Sequence, residues 1–195
     1  MDLNNKDDVI KIINGCKNND REYQHLLYKL TFQAMFKICL RYSQDRDEAK
    51  DLLQESFLKI YAKISDYNFE GSFEGWLKRI VINNAITYLK KKEKYVEKEY
   101  VINNLTDDTE DADEVLETLN KQNMQAENLL ELLHELPPAF RSVFNLYYLE
   151  DFSHKEIAQK LNISEGSSKS NLHRAKMILK NSYLTKYGNY HEKTE

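Results

Sequence analysis

Helix-breaking residues are scarce in this sequence, which has five glycines and two prolines among 195 residues. Sheets and irregular loops depend on turn residues, so their scarcity argues against an all-β or loop-rich fold. Cys16 and Cys39 are the only cysteines, and both lie inside apolar helical patterns. This position favours core packing over a disulfide framework or a metal site, and we expect no bound metal.

Long hydrophobic runs are also missing. The first residues, "MDLNNKDDVIKII", lack the basic and then apolar order of a signal peptide. No stretch approaches the roughly 20 apolar residues that span a bilayer. We therefore expect a cytoplasmic protein with no membrane insertion.

Signatures of enzymes are absent as well. The sequence contains no Walker loop, dinucleotide fingerprint or HExxH motif, and no motif that places His or Cys beside a nucleophile. We expect a protein that is not an enzyme and that needs no cofactor.

The net charge of −4 is unevenly distributed along the chain. Residues 1–93 carry 16 Lys or Arg against 14 Asp or Glu, and residues 136–195 carry 9 against 6. Residues 94–135 carry 3 against 12, so the acidity is local. Like charges repel one another, so an acidic segment tends to form an extended connection, and the sequence predicts an acidic flexible linker over 94–126. On either side of it we predict helical domains over 1–93 and 127–184, and the second is followed by a tail over 185–195.

Hydrophobic periodicity predicts that both domains are helical, so the fold class is all-α. The second domain contains four helical patterns, and the first of them ends at Pro137. Ser153 and Glu156 form a predicted capping box at the start of the third pattern. Asn162 occupies a turn that requires left-handed backbone angles, and Ser164 is the predicted cap of the last helix. The arrangement predicts a helix-turn-helix.

The last helix carries two kinds of polar residue at different positions around its axis. Short polar groups and an arginine near its N-terminus suit base edges in duplex DNA, and cations suit phosphates. We predict base or near-base contacts by Ser167, Ser170, Asn171 and Arg174, and phosphate contacts by Lys169, His173 and Lys176. A helical hairpin with a solvated basic face would show a similar pattern.

The first domain carries a second set of candidate DNA-binding residues within "FEGSFEGWLKRIVINNAITYLKKKEK". Aromatic rings, an amide that both donates and accepts, and cations together suit unstacked single-stranded bases. The candidates are Phe73, Trp76, Arg79, Asn83, Lys90 and Lys91. Individually, each has a simpler explanation as a core anchor or as a solvated helix end.

The sequence resembles the extracytoplasmic function sigma factors, a two-domain group of bacterial transcription initiation factors. Three stretches in the family's order carry the resemblance: "DEAKDLLQESFLKIY", "EGSFEGWLKRIVINNAITYLKKK" and "LPPAFRSVFNLYYLEDFSHKEIAQKLNISEGSSKSNLHRAK". They lie between about Tyr23 and Leu184. Two positions depart from the family, which often has Arg where Asn171 stands and Gly near Phe69.

The resemblance implies a dissociable specificity subunit that brings core RNA polymerase to promoter DNA and opens it. Residues 1–93 would be sigma region 2 and residues 127–184 sigma region 4. Asn83 matches the position that lines the family's pocket for a flipped base. The helix that would dock on the polymerase clamp carries Asp51, Leu52, Gln54, Glu55 and Phe57.

The resemblance also implies regulation, because many members of the family are held inactive by an anti-sigma factor. Two other classes of protein remain open from the residues alone. A stand-alone regulator would share the helix-turn-helix but would need a receiver or ligand domain in place of the first domain. A protein-interaction adaptor would explain the helices without DNA.

Overall fold

The computed structural model describes residues 1–93 and 126–187, which form eight helices and no strand. The all-α prediction is confirmed. The residues form two compact units that meet in sequence near position 93. The predicted linker lies almost entirely outside the described residues, as does most of the predicted tail.

The first unit contains α1 (Lys6–Lys17), α2 (Arg21–Tyr42), α3 (Arg46–Lys63) and α4 (Phe73–Glu93). A single 3-10 turn, Ile64–Asp66, follows α3 directly. Polar side chains begin the first three helices by accepting hydrogen bonds from backbone N–H groups of the first turn. Each such cap satisfies donors that the helix itself leaves unpaired. The capping residues are Asn5, Asp20 and Asp45.

The core of the first unit consists of one apolar stripe from each helix. Its fully buried side chains include Ile12, Ile13, Leu27, Met35, Leu52, Leu53, Ile60, Leu77 and Val81. Each such side chain contributes about 1.5–3 kcal/mol through burial. Cys16 and Cys39 are buried free thiols in this core, as predicted.

Gly15 allows α1 and α2 to approach each other closely. A Cβ atom at this position would lie 2.2 Å from Cγ of Tyr23, which no side chain could tolerate. Glycine is therefore required at the end of α1 for packing and not for a turn.

The second unit contains α5 (Ala126–Glu135), α6 (Pro138–Phe144), α7 (His154–Leu161) and α8 (Glu165–Tyr187). Pro138 opens α6, where a missing N–H costs nothing. The helix continues into a π-helical turn, Asn145–Leu149. The buried Arg141 satisfies the end of α5, because its Nη2 donates to the carbonyl oxygens of His134 and Leu136 at 3.2 Å and 3.0 Å.

The turn between α7 and α8 forms as predicted. Ser153 and Glu156 make the reciprocal capping box at the start of α7. Asn162 adopts left-handed angles, with φ 59° and ψ 48°. Oγ of Ser164 accepts a hydrogen bond from the backbone N–H of Ser167 at 2.9 Å, which caps α8. These contacts fix how α8 leaves the turn.

Candidate nucleic-acid interface

The N-terminal half of α8 presents a continuous polar face. Ser167, Ser170 and Arg174 are exposed, and Asn171 is half-buried. They recur at spacings of three and four residues and so lie on one side of the helix. The opposite side holds α8 in the core through the buried residues Ser168, Leu172, Ala175 and Leu179. The structure therefore brings all four predicted base contacts together.

His154 fastens α8 to the preceding elements. Its Nδ1 lies 2.9 Å from Oγ of the fully buried Ser168, and its ring stacks on Tyr147 with centroids 4.8 Å apart. Burial lowers the pKa of His154, and the nearby ammonium groups of Lys169 and Lys176 lower it further. A neutral imidazole is therefore favoured beneath the cationic surface of α8.

The predicted phosphate contacts occupy a strip beside the polar face. Lys169 and His173 are exposed, while Lys176 is half-buried. The ammonium of Lys176 lies 5.2 Å from the ring centroid of Tyr148, within the range of a cation–π interaction. Tyr148 thus holds the ammonium group of Lys176 against the π-helical turn of the second unit.

On α4, a second polar face runs along the helix. Arg79 and Asn83 are exposed, and Trp76 and Lys90 are half-buried. Their spacings of three, four and seven residues place them on one side of α4. Lys91 is also exposed, near the end of the helix. An aromatic ring, an amide and cations therefore share one surface.

The loop before α4 adds an aromatic cluster that the sequence analysis did not identify. The ring of Tyr67 lies 5.1 Å from Phe69, 5.0 Å from Phe73 and 5.7 Å from Trp76, measured between centroids. Its hydroxyl donates to the carbonyl oxygen of Gly71 at 2.9 Å, which closes the loop. Tyr67 thus ties the loop to the aromatic end of α4.

Phe69 adopts an unusual backbone conformation in this loop. Its φ is 64°, a left-handed value that favours glycine, and its side chain is 42% exposed. The strained backbone places a large apolar ring at the surface.

The outer face of α3 carries three of the five predicted polymerase-binding residues. Asp51, Gln54 and Glu55 are exposed, and their spacing places them on one side of the helix. Leu58 extends the same side and is 64% exposed. Leu58 is not among the predicted contacts, because leucine in an amphipathic helix is usually a core residue. Its place on the outer face could have been found from its spacing, since it lies seven residues after Asp51 and four after Gln54.

Three predicted contact residues require correction. Leu52, Phe57 and Phe73 are only 2%, 3% and 2% exposed. These side chains belong to the core of the first unit and offer no surface to a partner in this conformation. Leu52 and Phe57 hold α3 in place, and the ring of Phe73 stacks against Trp76 with the two planes 12° apart.

Asn84, which follows the exposed Asn83, lies in the interior at 3% exposure. Its Nδ2 donates to Oγ of Ser56 at 3.0 Å and toward the carbonyl oxygen of Leu52 at 3.4 Å. Its Oδ1 accepts a hydrogen bond from Nζ of Lys59. Each of these partners is on α3, so Asn84 joins α3 to α4.

Residues 27–95 match the family model described as Sigma-70 region 2, and residues 126–179 match Sigma-70, region 4. The sequence is 30% identical over 165 residues to the ECF RNA polymerase sigma factor SigM of Bacillus subtilis, an alignment that covers 80% of this chain and 93% of the relative. It is 26% identical to SigW of the same species over 88% of this chain and 95% of the relative.

The fold is similar to that of the sigma factor RpoE from Bartonella quintana, solved in complex with the anti-sigma factor NepR. The TM-score is 0.50 at 20% identity, and the match covers 80% of this chain and 94% of that chain. Within the two described ranges, no helix is long and apolar enough to cross a membrane. With both sigma regions matched in order, the chain belongs to the extracytoplasmic function (ECF) sigma factors, which act with bacterial RNA polymerase in transcription initiation.

Proposed function

We propose that this sigma factor opens promoters with α4 of the first unit while α8 of the second unit reads a separate duplex element. The observation that carries the proposal is the exposed Asn83, which shares one side of α4 with Arg79 and Trp76. An extruded base needs hydrogen bonds and an aromatic surface to offset a few kcal/mol of lost stacking and pairing. Asn83 and Trp76 supply these, and Arg79 and Lys91 supply charge for the backbone.

Core polymerase docks on the outer face of α3. We assign contact to Asp51, Gln54 and Glu55. We add Leu58 because an exposed leucine among acidic and amide groups suits the apolar centre of an interface with a polar rim. Leu52, Phe57 and Phe73 support these surfaces from the core. Exposure and helical register support this division of roles.

The second unit reads the distal promoter element as duplex DNA. Ser167, Ser170, Asn171 and Arg174 face base edges in the major groove. The adjacent basic residues Lys169, His173 and Lys176 hold phosphates. The exposed face at the start of α8, fixed by the cap of Ser164 and by His154, supports this assignment.

The two DNA-binding units bind weakly alone, and polymerase supplies most of the affinity. Residues 1–93 and 136–195 have net charges of only +2 and +3, so few phosphates are neutralised. Polymerase tethers both units near the promoter and raises their effective concentration. We assign residues 1–93 to docking and melting, 94–126 to a flexible connection and 127–184 to duplex recognition.

The remaining properties follow from this role. The protein is a cytoplasmic specificity factor that catalyses no reaction of its own. An anti-sigma factor that covers the outer face of α3 would keep it from polymerase. The complex of the structurally similar RpoE with NepR supports such a partner.

Multi-round transcription with core polymerase from the organism that encodes the chain tests the proposed function. The templates are a library of upstream fragments from that genome, including the fragment upstream of its own gene. We expect specific transcripts that require both polymerase and this protein. Tight sequence-specific DNA binding without polymerase-dependent transcripts would contradict the proposal and indicate a stand-alone regulator.

A further inference from the structure

The two adjacent asparagines of α4 have opposite surroundings. Asn83 is exposed, whereas Asn84 is 3% exposed and makes its side-chain hydrogen bonds to α3. Because the two residues are adjacent on α4, the contacts that hold Asn84 against α3 also help to set the direction in which Asn83 faces. The orientation of the polar face of α4, which contains Asn83, therefore depends on contacts with α3.

The polar contacts of Asn84 extend to the outer face of α3. Nζ of Lys59 donates to Oδ1 of Asn84 and also to Oε1 of Glu55, the second at 2.7 Å. The side chains of Lys59 and Glu55 are 41% and 46% exposed. The ammonium group of Lys59 therefore bridges the exposed carboxylate of Glu55 on α3 and the buried amide of Asn84 on α4.

The inner end of this network is fully bonded. Oγ of Ser56 donates to the carbonyl oxygen of Leu52 at 2.7 Å and accepts from Asn84 at 3.0 Å. Buried polar groups with all partners present hold one arrangement, and losing one partner is costly. Moving the ammonium group of Lys59 consequently changes the hydrogen bonding of the Asn84 amide.

We propose that Lys59 and Asn84 are positioning residues that couple polymerase docking on α3 to the binding of the melted strand by α4. The inference rests on the proposed function, because it takes Glu55 as a docking group and Asn83 as a strand contact. In the free protein, the ammonium of Lys59 is shared between Glu55 and Asn84.

Docking changes how the ammonium of Lys59 is shared. A cationic group of the polymerase binds the Glu55 carboxylate and competes with Lys59 for it. Lys59 then bonds to Asn84 alone, and the stronger bond holds α4 with Asn83 facing the strand. By linkage, strand binding raises the affinity for polymerase by the same factor.

The test measures the affinity of the full chain for a single-stranded oligonucleotide, with and without core polymerase. The oligonucleotide is the non-template strand of a promoter found in the transcription assay. Lys59→Met retains the apolar stem and removes the ammonium. We expect this variant to bind polymerase at least as tightly as the wild type, because the competitor for Glu55 is gone. It should lose about tenfold of the increase in strand affinity, the effect of one hydrogen bond to a charged group.

Two control variants separate coupling from charge and from packing. Lys63→Met removes an exposed ammonium one turn further along α3. Tyr88→Phe removes a different contact between α4 and α3, in which the Tyr88 hydroxyl donates to Oε2 of Glu48 at 2.6 Å. We expect both controls to retain the wild-type increase.

The inference is overturned if Lys59→Met retains the full increase, or if it loses affinity for polymerase and strand in parallel with no change in coupling. A wild type without coupling, or equal loss in Tyr88→Phe, also overturns it. The proposed function is judged separately by whether the wild type directs transcription, so the two failures are distinguishable.

Discussion

The side chain of His154 is hydrogen-bonded to Ser168 across the turn of the helix-turn-helix, with 2.9 Å between Nδ1 and Oγ. Ser168 is fully buried one residue after Ser167 and two residues before Ser170, both on the face proposed to contact bases. The bond therefore helps to set the position of α8, and its state depends on the protonation of His154.

Acid should destabilise the second unit through His154. Burial, Lys169 and Lys176 lower its pKa, so the unfolded chain binds the proton more readily than the folded protein does. The corresponding stability is present above the unfolded pKa of about 6.5 and is lost as pH falls through the lowered folded pKa. Urea unfolding of wild type and His154→Gln by circular dichroism should show a smaller acid-induced loss in the variant. Identical pH dependence would contradict this assignment.

Asn83→Ala should impair promoter opening and leave polymerase binding intact. The exposed amide of Asn83 can donate and accept hydrogen bonds with an extruded base, as the proposed function requires. Permanganate footprinting of the promoter bubble measures the effect. Asn14→Ala, at an exposed position of α1, is the matched control, and a normal bubble in the Asn83 variant would disprove the role.

Arg174→Ala and Lys176→Ala should weaken promoter binding in different ways. Loss of the Arg174 base contact should cost about 1–3 kcal/mol and relax the preference at one base pair. Loss of the Lys176 phosphate contact should weaken all sequences and reduce the salt slope by about one. Binding of holoenzyme to a promoter library at several salt concentrations separates the two. A changed base preference in the Lys176 variant would mean that the two roles are wrongly divided.

Leu58→Asp should weaken polymerase binding by about tenfold or more without destabilising the fold, because the side chain is already 64% exposed. Fluorescence anisotropy of labelled protein with core polymerase measures the affinity. Leu30→Asp on α2 is the control, since Leu30 is 40% exposed and lies outside the proposed surface. Equal effects of the two changes would exclude a specific role for Leu58.

Arg141→Met should destabilise the second unit by about 2 kcal/mol, because the carbonyl oxygens of His134 and Leu136 lose a buried charged donor. Trp76 is the only tryptophan and lies in the first unit, so its fluorescence does not report on this change. Hydrogen exchange of the α5 and α6 amides is the suitable measurement. Unchanged protection there, with Lys155→Met as an exposed control, would contradict the capping role.

The sequence by itself determined the fold class, the four helices of the second unit and the turn at Asn162. These features depend on local chemistry: apolar spacing, a proline at a helix start, a capping box and a residue that tolerates left-handed angles. The same spacing predicted the polar face of α8, because one side of that helix is strongly apolar.

Only the tertiary structure decided which side chains of α3 and α4 reach the surface. Phe73 is buried, whereas Leu58 is exposed, although both side chains are large and apolar. Asn83 and Asn84 are chemically identical neighbours, yet one faces solvent and the other bonds to Ser56. Composition cannot separate such pairs, because burial depends on how one helix is rotated against another, and that rotation is set by contacts between residues far apart in the chain.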